Sequence, residues 1–172
     1  MKVYFWSDLH LGHVNIPKFR TMFSSMEEHD EFIMGTITSM KDKRTVFFIL
    51  GDAFVSRKGL EKFEKLFSNV RTTLVLGNHD LEREGLSFTD LVGVVDNVQS
   101  LVKYKNFWLS HAPVHPEELR GKKNLHGHTH FELMGDPRYI NVCVEYAKSP
   151  VRLEDIMSGK YTSHDKTSWM LE

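Results

Sequence analysis

The sequence lacks the features of several large classes of protein. Its 172 residues include one cysteine, Cys143, so a framework of internal disulfides is excluded. No apolar run approaches the roughly 20 residues of a membrane-spanning helix, and the first residues do not resemble a signal peptide. We therefore expect a cytoplasmic protein without membrane contact, in which Cys143 is a small buried apolar side chain.

A basic excess is also missing. Lys and Arg number 22 against 23 Asp and Glu, which leaves a net charge of −1 with neutral histidines. A protein that coats DNA usually carries a basic excess, so the composition argues against that class. The composition is still compatible with a substrate such as a nucleotide or a nucleic-acid end that is held by local groups. The length suits one domain with a core of its own.

Short apolar runs followed by polar residues or glycine predict buried strands in the first half, at residues 3–6, 45–50 and 72–76. Between these runs, residues 26–40 and 59–68 place apolar side chains on one stripe, which is typical of amphipathic helices. Strands that alternate with helices predict a parallel α/β sheet.

The second half favours strands, predicted at residues 92–96, 98–104, 106–110 and 139–146, with one short helix at 116–120. The whole prediction is a single α/β domain over residues 1–172, a two-layer β-sandwich core flanked by helices. Residues 160–172 form a polar tail that ends in Trp169, Met170 and Leu171. That tail is predicted to be either flexible or docked through its apolar end.

Oxygen and imidazole side chains follow four of these runs and also Leu125, at the positions where ligand sites form in α/β sheets. They are Asp8, His10, Asp52, Asn78, His79, Asp80, His111, His128 and His130. Each motif alone is weak, because an aspartate after glycine more often makes a turn or a cap than a ligand. The ordered combination is the signal, since carboxylate and imidazole suit manganese, iron, zinc or cobalt.

These blocks resemble the signature blocks of the calcineurin-like metallophosphoesterases in order and spacing. The blocks are SDLH at 7–10, GDAF at 51–54, GNHD at 77–80, His111, and GHTH at 127–130. The stretch INVCVEYAKSPVRLEDI is similar to the last strand and following segment of small members. The resemblance implies the metallophosphoesterase fold and a compact catalytic domain without a cap, of bacterial or phage type.

The resemblance also implies two divalent metal ions, with Mn²⁺ favoured and iron, zinc, cobalt or nickel as alternatives. One ion would be bound by Asp8, His10, Asp52 and His130. The other would be bound by Asp52, Asn78, His111 and His128, so that Asp52 bridges the pair. His79 would face the substrate, where it would stabilise phosphoryl charge or protonate the leaving oxygen. Asp80 would orient His79 by accepting its other ring N–H.

Four further residues are weaker candidates for contact with the substrate. His13 and Asn15 match a GH-x-N-I continuation found in small members of the family, although both could equally serve loop structure. Arg20 could grip phosphate, or be part of a solvated basic surface. His115 could line the cleft or lie exposed in its loop. His126, the third imidazole of NLHGHTHF, is predicted to pack beside the site without binding metal.

The implied activity is phosphoester hydrolysis by a metal-activated hydroxide. Phosphodiesters are favoured, including nucleotides, cyclic nucleotides and nucleic-acid ends, with phosphomonoesters as the second choice. Two alternatives stay open, a non-catalytic protein-binding scaffold with the same fold and a mononuclear hydrolase. The full set of ligand positions and His79 argue against the scaffold, and a single ion would leave about half of the ligands without a role.

Overall fold

Buried apolar strands build a five-stranded sheet in the computed structural model, which describes residues 1–163 and 167–171. Its strands are β1 (Lys2–Trp6), β2 (Thr45–Leu50), β3 (Arg71–Val75), β4 (Asn97–Gln99) and β9 (Val151–Arg152). Their order is β4-β3-β2-β1-β9, and all neighbours are parallel except the antiparallel pair β1 and β9.

A second sheet of four strands packs against the first. Its strands, in spatial order, are β5 (Val102–Tyr104), β6 (Phe107–Leu109), β7 (Lys123–His126) and β8 (Tyr139–Asn141). Only β5 and β6 are antiparallel, and Lys105 makes the turn between them with a positive φ of 51°. The two sheets form the predicted sandwich, so the predicted fold class is confirmed.

Alternating side chains of β2 connect the layers, because successive residues of a strand point to opposite faces. Phe48 contacts Tyr104 of the second sheet, with ring centroids 4.9 Å apart. Phe47 points the other way and contacts Phe67, at 5.4 Å. The first sheet is therefore covered on both faces, which explains why every residue of β2 is buried.

Helices cover the outer face of the first sheet. Helix α1 (Met26–Met40) begins at Ser25, whose side chain accepts the N–H of Glu28, and it buries Ile33 and Ile37. Helix α2 (Arg57–Phe67) begins at Ser56, which caps the N–H of Gly59 in the same way. Shorter elements complete the chain, namely α3 (Phe88–Val92), α4 (Leu153–Met157) and 3₁₀ helices at Ile16–Lys18 and Pro116–Leu119.

Three strand predictions for the second half need correction. Residues 92–96 contain the last residue of α3 and the turn that follows it, because Ser87 and Asp90 form a capping box that favours helix there. Residues 98–104 divide between β4 and β5, which belong to different sheets. The strand predicted at 139–146 ends at Asn141, where the chain crosses to the first sheet and Val144 N–H bonds to Ser7 O at 3.1 Å.

The end of the chain contacts the core where the structure describes it. Trp169 Nε1 donates to Val144 O at 2.7 Å, and its ring lies 5.5 Å from that of Phe32. Ser168 Oγ donates to Glu145 O at 2.7 Å. Residues 164–166 and 172 of the predicted tail lie outside the described residues. Within the described ranges, no helix has the length and apolar character needed to cross a membrane.

Substitution of Phe63 by alanine tests the packing of α2. Phe63 is fully buried and its ring lies 4.6 Å from Phe67 and 5.4 Å from Phe54. We expect Phe63→Ala to lower the free energy of unfolding by about 3–5 kcal/mol, measured by urea denaturation. Phe88→Ala is the control, because Phe88 is 51% exposed and should change stability by only about 0.5 kcal/mol. Equal effects of both substitutions would contradict this packing.

Candidate metal centre and active site

The loops after β1, β2 and β3 meet at one edge of the first sheet. The register places Trp6 opposite Ile49, and Ile49 opposite Leu74, so these strands end side by side. The N–H of Asp8 bonds to Gly51 O at 3.0 Å, and the N–H of His10 bonds to Asp52 O at 2.9 Å. The loop after β1 and the loop after β2 are thereby held together along their backbones.

Two clusters of oxygen and imidazole groups lie at this edge, and within each the potential ligand atoms lie within 4.8 Å of one another. Site A consists of Asp8, His10 and His130. Its Asp8 Oδ1 lies 3.8 Å from His10 Nε2 and 3.7 Å from His130 Nε2. Site B consists of Asp52, His111 and His128.

Site B is joined to Asn78 on one side and to site A on the other. His111 Nε2 lies 3.3 Å from Asp52 Oδ2, 3.2 Å from His128 Nδ1 and 3.0 Å from Asn78 Oδ1. Asp52 Oδ2 also lies 3.9 Å from His10 Nε2 of site A. All seven predicted ligand residues therefore come together, and the carboxylate of Asp52 lies between the two clusters.

The backbone of the predicted ligand residues is unusual. Nine described residues other than glycine have positive φ, and five of them belong to sites A and B: Asp8, His10, Asp52, His128 and His130. Their φ angles run from 46° to 70°, in the left-handed region that side chains with a Cβ rarely adopt. His128 and His130 thus leave the extended geometry that alternation in NLHGHTHF suggests. Such strain concentrates at functional sites.

Two glycines allow the loops to approach this closely. A Cβ on Gly127 would overlap the side chains of Ser7 and Asp8, and a Cβ on Gly77 would overlap the backbone and carboxylate of Asp52. The glycine in each block therefore serves close contact between loops, and at both positions any larger residue would displace an aspartate of the site.

One oxygen of the Asp8 carboxylate is fixed by hydrogen bonds, and the other accepts none from the described residues. Oδ2 accepts from Ser7 Oγ at 2.5 Å, from the N–H of His128 at 3.0 Å and from Cys143 Sγ at 3.1 Å. Burial raises the pKa of the Cys143 thiol, so the thiol keeps its proton for this contact. Oδ1 is buried and has no hydrogen-bond partner among the described residues, although it faces the two imidazoles of site A.

The electrostatics of the site favour positive charge. Burial opposes protonation of His111, but its hydrogen bond to Asp52 and the charges of Asp8 and Asp52 raise its pKa to about 9. Burial likewise opposes protonation of His130, and the Glu145 and Asp8 carboxylates raise its pKa above the usual range. In the absence of cations, the raised pKa values of His111 and His130 favour protonation that compensates the carboxylates, whereas burial lowers the pKa of His10. Divalent ions would displace those protons on binding.

His79 lies at the open rim of the clusters. Its side chain is 36% exposed, its Nε2 lies 4.0 Å from Asp52 Oδ2, and its ring centroid is 5.9 Å from that of His10. Its backbone N–H donates to Asp52 Oδ1 at 2.9 Å. This location fits a group that faces a substrate held by both clusters.

The role expected of Asp80 needs correction. Asp80 is fully buried, and its carboxylate accepts the backbone N–H groups of Asp52 at 3.1 Å, Ala53 at 2.8 Å and Gly77 at 2.7 Å. Burial raises its pKa to about 6. The imidazole of His79 pairs instead with Glu82 through Nδ1. Asp80 therefore fixes the loop backbone around Asp52, and Glu82 is the residue that contacts the ring.

Of the four weaker candidates for substrate contact, two line a cleft beside site A and two do not. A cleft of about 290 Å³ beside site A is lined by His13 and Arg20, together with His10, His79 and His130. Asn15 and His115 are not among the described residues that line it. His115 caps the 3₁₀ helix at Pro116–Leu119, where its ring accepts the N–H of Glu117, and Asn15 lies exposed before the other 3₁₀ helix.

Arg20 is buried, which neither reading of its sequence position anticipated. Its guanidinium donates to Glu145 Oε1 at 2.8 Å and to Asp8 O at 2.6 Å, and it lies 2.7 Å from His29 Nε2. These contacts use the guanidinium for structure at site A, so it lines the cleft without presenting a free cation.

Glu145 is the functional residue that sequence reasoning missed. It is buried, and its Oε1 lies 3.0 Å from Nδ1 of His130. Burial opposes its ionisation, but the charge of Arg20 and the contact with His130 lower its pKa to about 2. A carboxylate on the far nitrogen of a ligand histidine fixes the orientation of the ring. The available signal was an acid inside the apolar run VCVEY.

The fold and these clusters together define a class. A sandwich of two sheets, with carboxylate and imidazole clusters at the ends of parallel strands, is typical of metallophosphoesterases. The family model described as "calcineurin-like phosphoesterase" matches residues 1–142, and the chain belongs to this family. The family and the two clusters support a metal-dependent phosphoesterase.

Proteins of Methanocaldococcus jannaschii and Mycobacterium phage L5 are similar to this chain in sequence. Protein MJ1445 of Methanocaldococcus jannaschii, described as uncharacterized, is 27% identical over 144 residues, which cover 81% of this chain and 76% of MJ1445. The gene 66 protein of Mycobacterium phage L5 is 29% identical over 158 residues, which cover 74% of this chain and 76% of the phage protein. The second match agrees with the predicted resemblance to phage-type members.

Two solved structures share the fold. Protein AQ665 of Aquifex aeolicus, described as of unknown function, has a TM-score of 0.71 and 22% identity, covering 91% of this chain and 98% of that chain. The nuclease MPE of Pseudomonas putida has a TM-score of 0.50 and 22% identity, covering 74% of this chain and 60% of that chain. At these identities the comparison shows the fold alone.

Substitution of Glu145 tests its hold on His130. We expect Glu145→Gln to weaken Mn²⁺ binding at site A by about 10–100-fold, because the ring of His130 loses its charged partner. Isothermal titration with Mn²⁺ measures the change, and circular dichroism shows that the variant is folded. Glu154→Gln is the matched control, because Glu154 pairs with Arg152 on the surface. A folded Glu145→Gln variant with the titration curve of the unsubstituted protein would refute the role.

Proposed function

We propose that this protein is a dinuclear metal-dependent phosphoesterase that acts on phosphodiesters, with nucleotides and nucleic-acid ends as the favoured class. The observation that carries the proposal is the position of Asp52, whose Oδ2 lies 3.3 Å from His111 Nε2 in site B and 3.9 Å from His10 Nε2 in site A. One carboxylate oxygen that faces two ligand clusters suits a pair of ions, since two-metal sites keep their ions about 3.5–4 Å apart.

The residues present fit divalent ions. Asp8 Oδ1 is a buried carboxylate oxygen without a hydrogen-bond partner among the described residues, and two imidazole nitrogens face it. A buried acceptor of this kind calls for a cation. The ligand set of carboxylate, imidazole and amide oxygen is compatible with manganese, iron, zinc, cobalt or nickel. Three of the proposed ligands supply oxygen and four supply imidazole nitrogen, which does not single out one of these metals. We favour Mn²⁺ from the resemblance to the family.

Bound ions would supply Lewis acidity and would lower the pKa of a water molecule. The side chains of the chain then have separate tasks. Sites A and B hold the ions, and Asp80 keeps the backbone around Asp52 in place through three N–H groups. His79 presents Nε2 toward the clusters while Glu82 contacts Nδ1. A protonated His79 would donate from Nε2 to a phosphoryl oxygen or to the leaving oxygen.

The charge of the cleft supports a diester over a monoester. Arg20 is the only lysine or arginine among its described lining residues, and its guanidinium is bound to Glu145 and Asp8. A terminal phosphate carries more charge than a diester and would gain from a free guanidinium beside the ions. The fold shared with a protein named as a nuclease gives further support for a nucleic-acid or nucleotide substrate.

Two substitutions separate metal binding from turnover. We expect His79→Ala to keep its metal and to lose about 10²–10⁴-fold in turnover, because it removes a proton donor without removing a ligand. Asp52→Ala should lose both, because it removes the oxygen that faces both sites. Metal analysis of the purified variants and hydrolysis of bis-p-nitrophenyl phosphate with added Mn²⁺ measure the two effects.

His115→Ala is the control for these variants, because His115 is exposed and lies outside the described lining of the cleft. Full activity of His79→Ala would overturn the assignment of His79. A wild-type protein without turnover on any phosphoester, with any of the five metals, would overturn the enzyme and favour the non-catalytic scaffold. A screen of mono-, di- and cyclic nucleotides with Mn²⁺ then identifies the preferred ester.

A further inference from the structure

Two of the exposed phenylalanines line the cleft beside site A. Phe19 is 64% exposed and Phe131 is 36% exposed, and both contribute to the wall of the cleft. Phe88 is also exposed but lies outside the described lining. Exposed aromatic side chains that converge on one cleft indicate a binding surface, because an apolar surface left in water has no stabilising role in the free protein.

The backbone holds both rings in place. The N–H of Phe19 bonds to Ile16 O at 3.0 Å, and the next residue, Arg20, is anchored to Asp8 O at 2.6 Å. Phe131 follows His130 of site A, and its carbonyl accepts from Tyr146 Oη at 2.7 Å. Each ring is therefore one residue from a side chain that is fixed at site A. The exposure belongs to ordered backbone beside the metal ligands.

Apart from the ion pair of Arg20 and Glu145, the remaining walls of the cleft are flat or apolar. They comprise Ile16 and the imidazoles of His10, His13, His79 and His130. The ring of His13 meets that of Phe19 nearly edge-on, with centroids 5.8 Å apart and an angle of 71°. The guanidinium of Arg20 is engaged, so this part of the cleft offers ring faces in place of free charge. Such a surface suits a planar aromatic group better than a second phosphate.

We propose that Phe19 and Phe131 stack on a base attached to the scissile phosphodiester and thereby give the enzyme its preference for nucleotide esters. The inference rests on the proposed phosphodiesterase function and adds the residues that select the substrate. Aromatic side chains bind unstacked bases with little sequence preference, because every base has a π-face. The described lining of the cleft contains no lysine, and its one arginine is bound to Glu145 and Asp8, so the cleft offers no basic track for a long strand. The substrate is therefore a short or frayed single strand or a mononucleotide ester.

A matched pair of substrates tests the proposal. One is the dinucleotide of thymidine, and the other is its analogue with both bases replaced by hydrogen, so the phosphodiester and the leaving hydroxyl are the same. With Mn²⁺, we expect the unsubstituted protein to cleave the base-containing substrate with a kcat/KM about tenfold or more above that of the analogue. Phe19→Ala and Phe131→Ala should each bring this ratio toward one.

Phe88→Ala is the matched control and should keep the ratio of the unsubstituted protein. A ratio near one without any substitution, or a ratio preserved in both cleft variants, would overturn the stacking role while the phosphoesterase stands. Failure to cleave either substrate while bis-p-nitrophenyl phosphate is hydrolysed would overturn the stacking role alone. Failure to hydrolyse any phosphoester with any divalent metal would overturn the enzyme, and the stacking role with it. Sedimentation is run in parallel, because a dimer that Phe19→Ala dissociates with no change in ratio would assign the rings to self-association.

Discussion

The carboxylate of Asp8 joins the two sheets at the point where the clusters form. One of its oxygens accepts from Ser7 at the end of β1, from the backbone of His128 beyond β7, and from Cys143 beyond β8. The backbone carbonyl of Asp8 accepts from Arg20. Segments distant in the chain therefore meet on one residue, and the second oxygen is left to face the imidazoles of site A. The geometry of both clusters depends on this junction.

A series of buried charged and polar side chains extends outward from Asp8. Glu145 contacts both His130 and Arg20, and Arg20 lies against His29, whose other ring nitrogen is 3.0 Å from Asp30 Oδ1. Removing charged groups from water costs free energy that pairing only partly recovers. A chain selected for stability alone would gain from apolar residues here. The network is better explained by the orientation it gives to His130 and by its connection of site A to α1.

Local patterns predicted much of the fold and the candidate ligand residues that come together at its edge. The runs that became β1, β2 and β3 are short and apolar, and each ends at a block with a candidate ligand, so the sequence indicated which edge of the sheet carries the site. His79 was predicted to face a substrate, and its partly exposed position beside the clusters is compatible with that role. What failed depended on contacts between distant segments or on the direction of neighbouring side chains. Glu145 meets His130 only because the chain crosses between sheets after Asn141.

Residues that are neighbours in the sequence also need not be partners in the folded chain. Asp80 follows His79 directly, which made it a natural partner for the ring, yet the turn directs its carboxylate into the protein toward three backbone N–H groups. The helix α3 was missed because the capping box of Ser87 and Asp90 outweighs the β-branched residues that follow it. The burial of Arg20 was not predicted, since burial of a guanidinium depends on acceptors that only the folded chain assembles. The exposed position of His115 was one of its two predicted alternatives.

The left-handed backbone at Asp8, His10, Asp52, His128 and His130 bears on how such a chain can change over generations. Glycine would relieve backbone strain at each of these positions. At Asp8 and His130 that gain is offset by lost contacts, because Asp8 Oδ2 joins three segments and His130 pairs with buried Glu145. Selection for stability alone would therefore not remove the five residues at equal rates. Those with the fewest contacts to the rest of the fold would be lost first wherever activity is no longer needed.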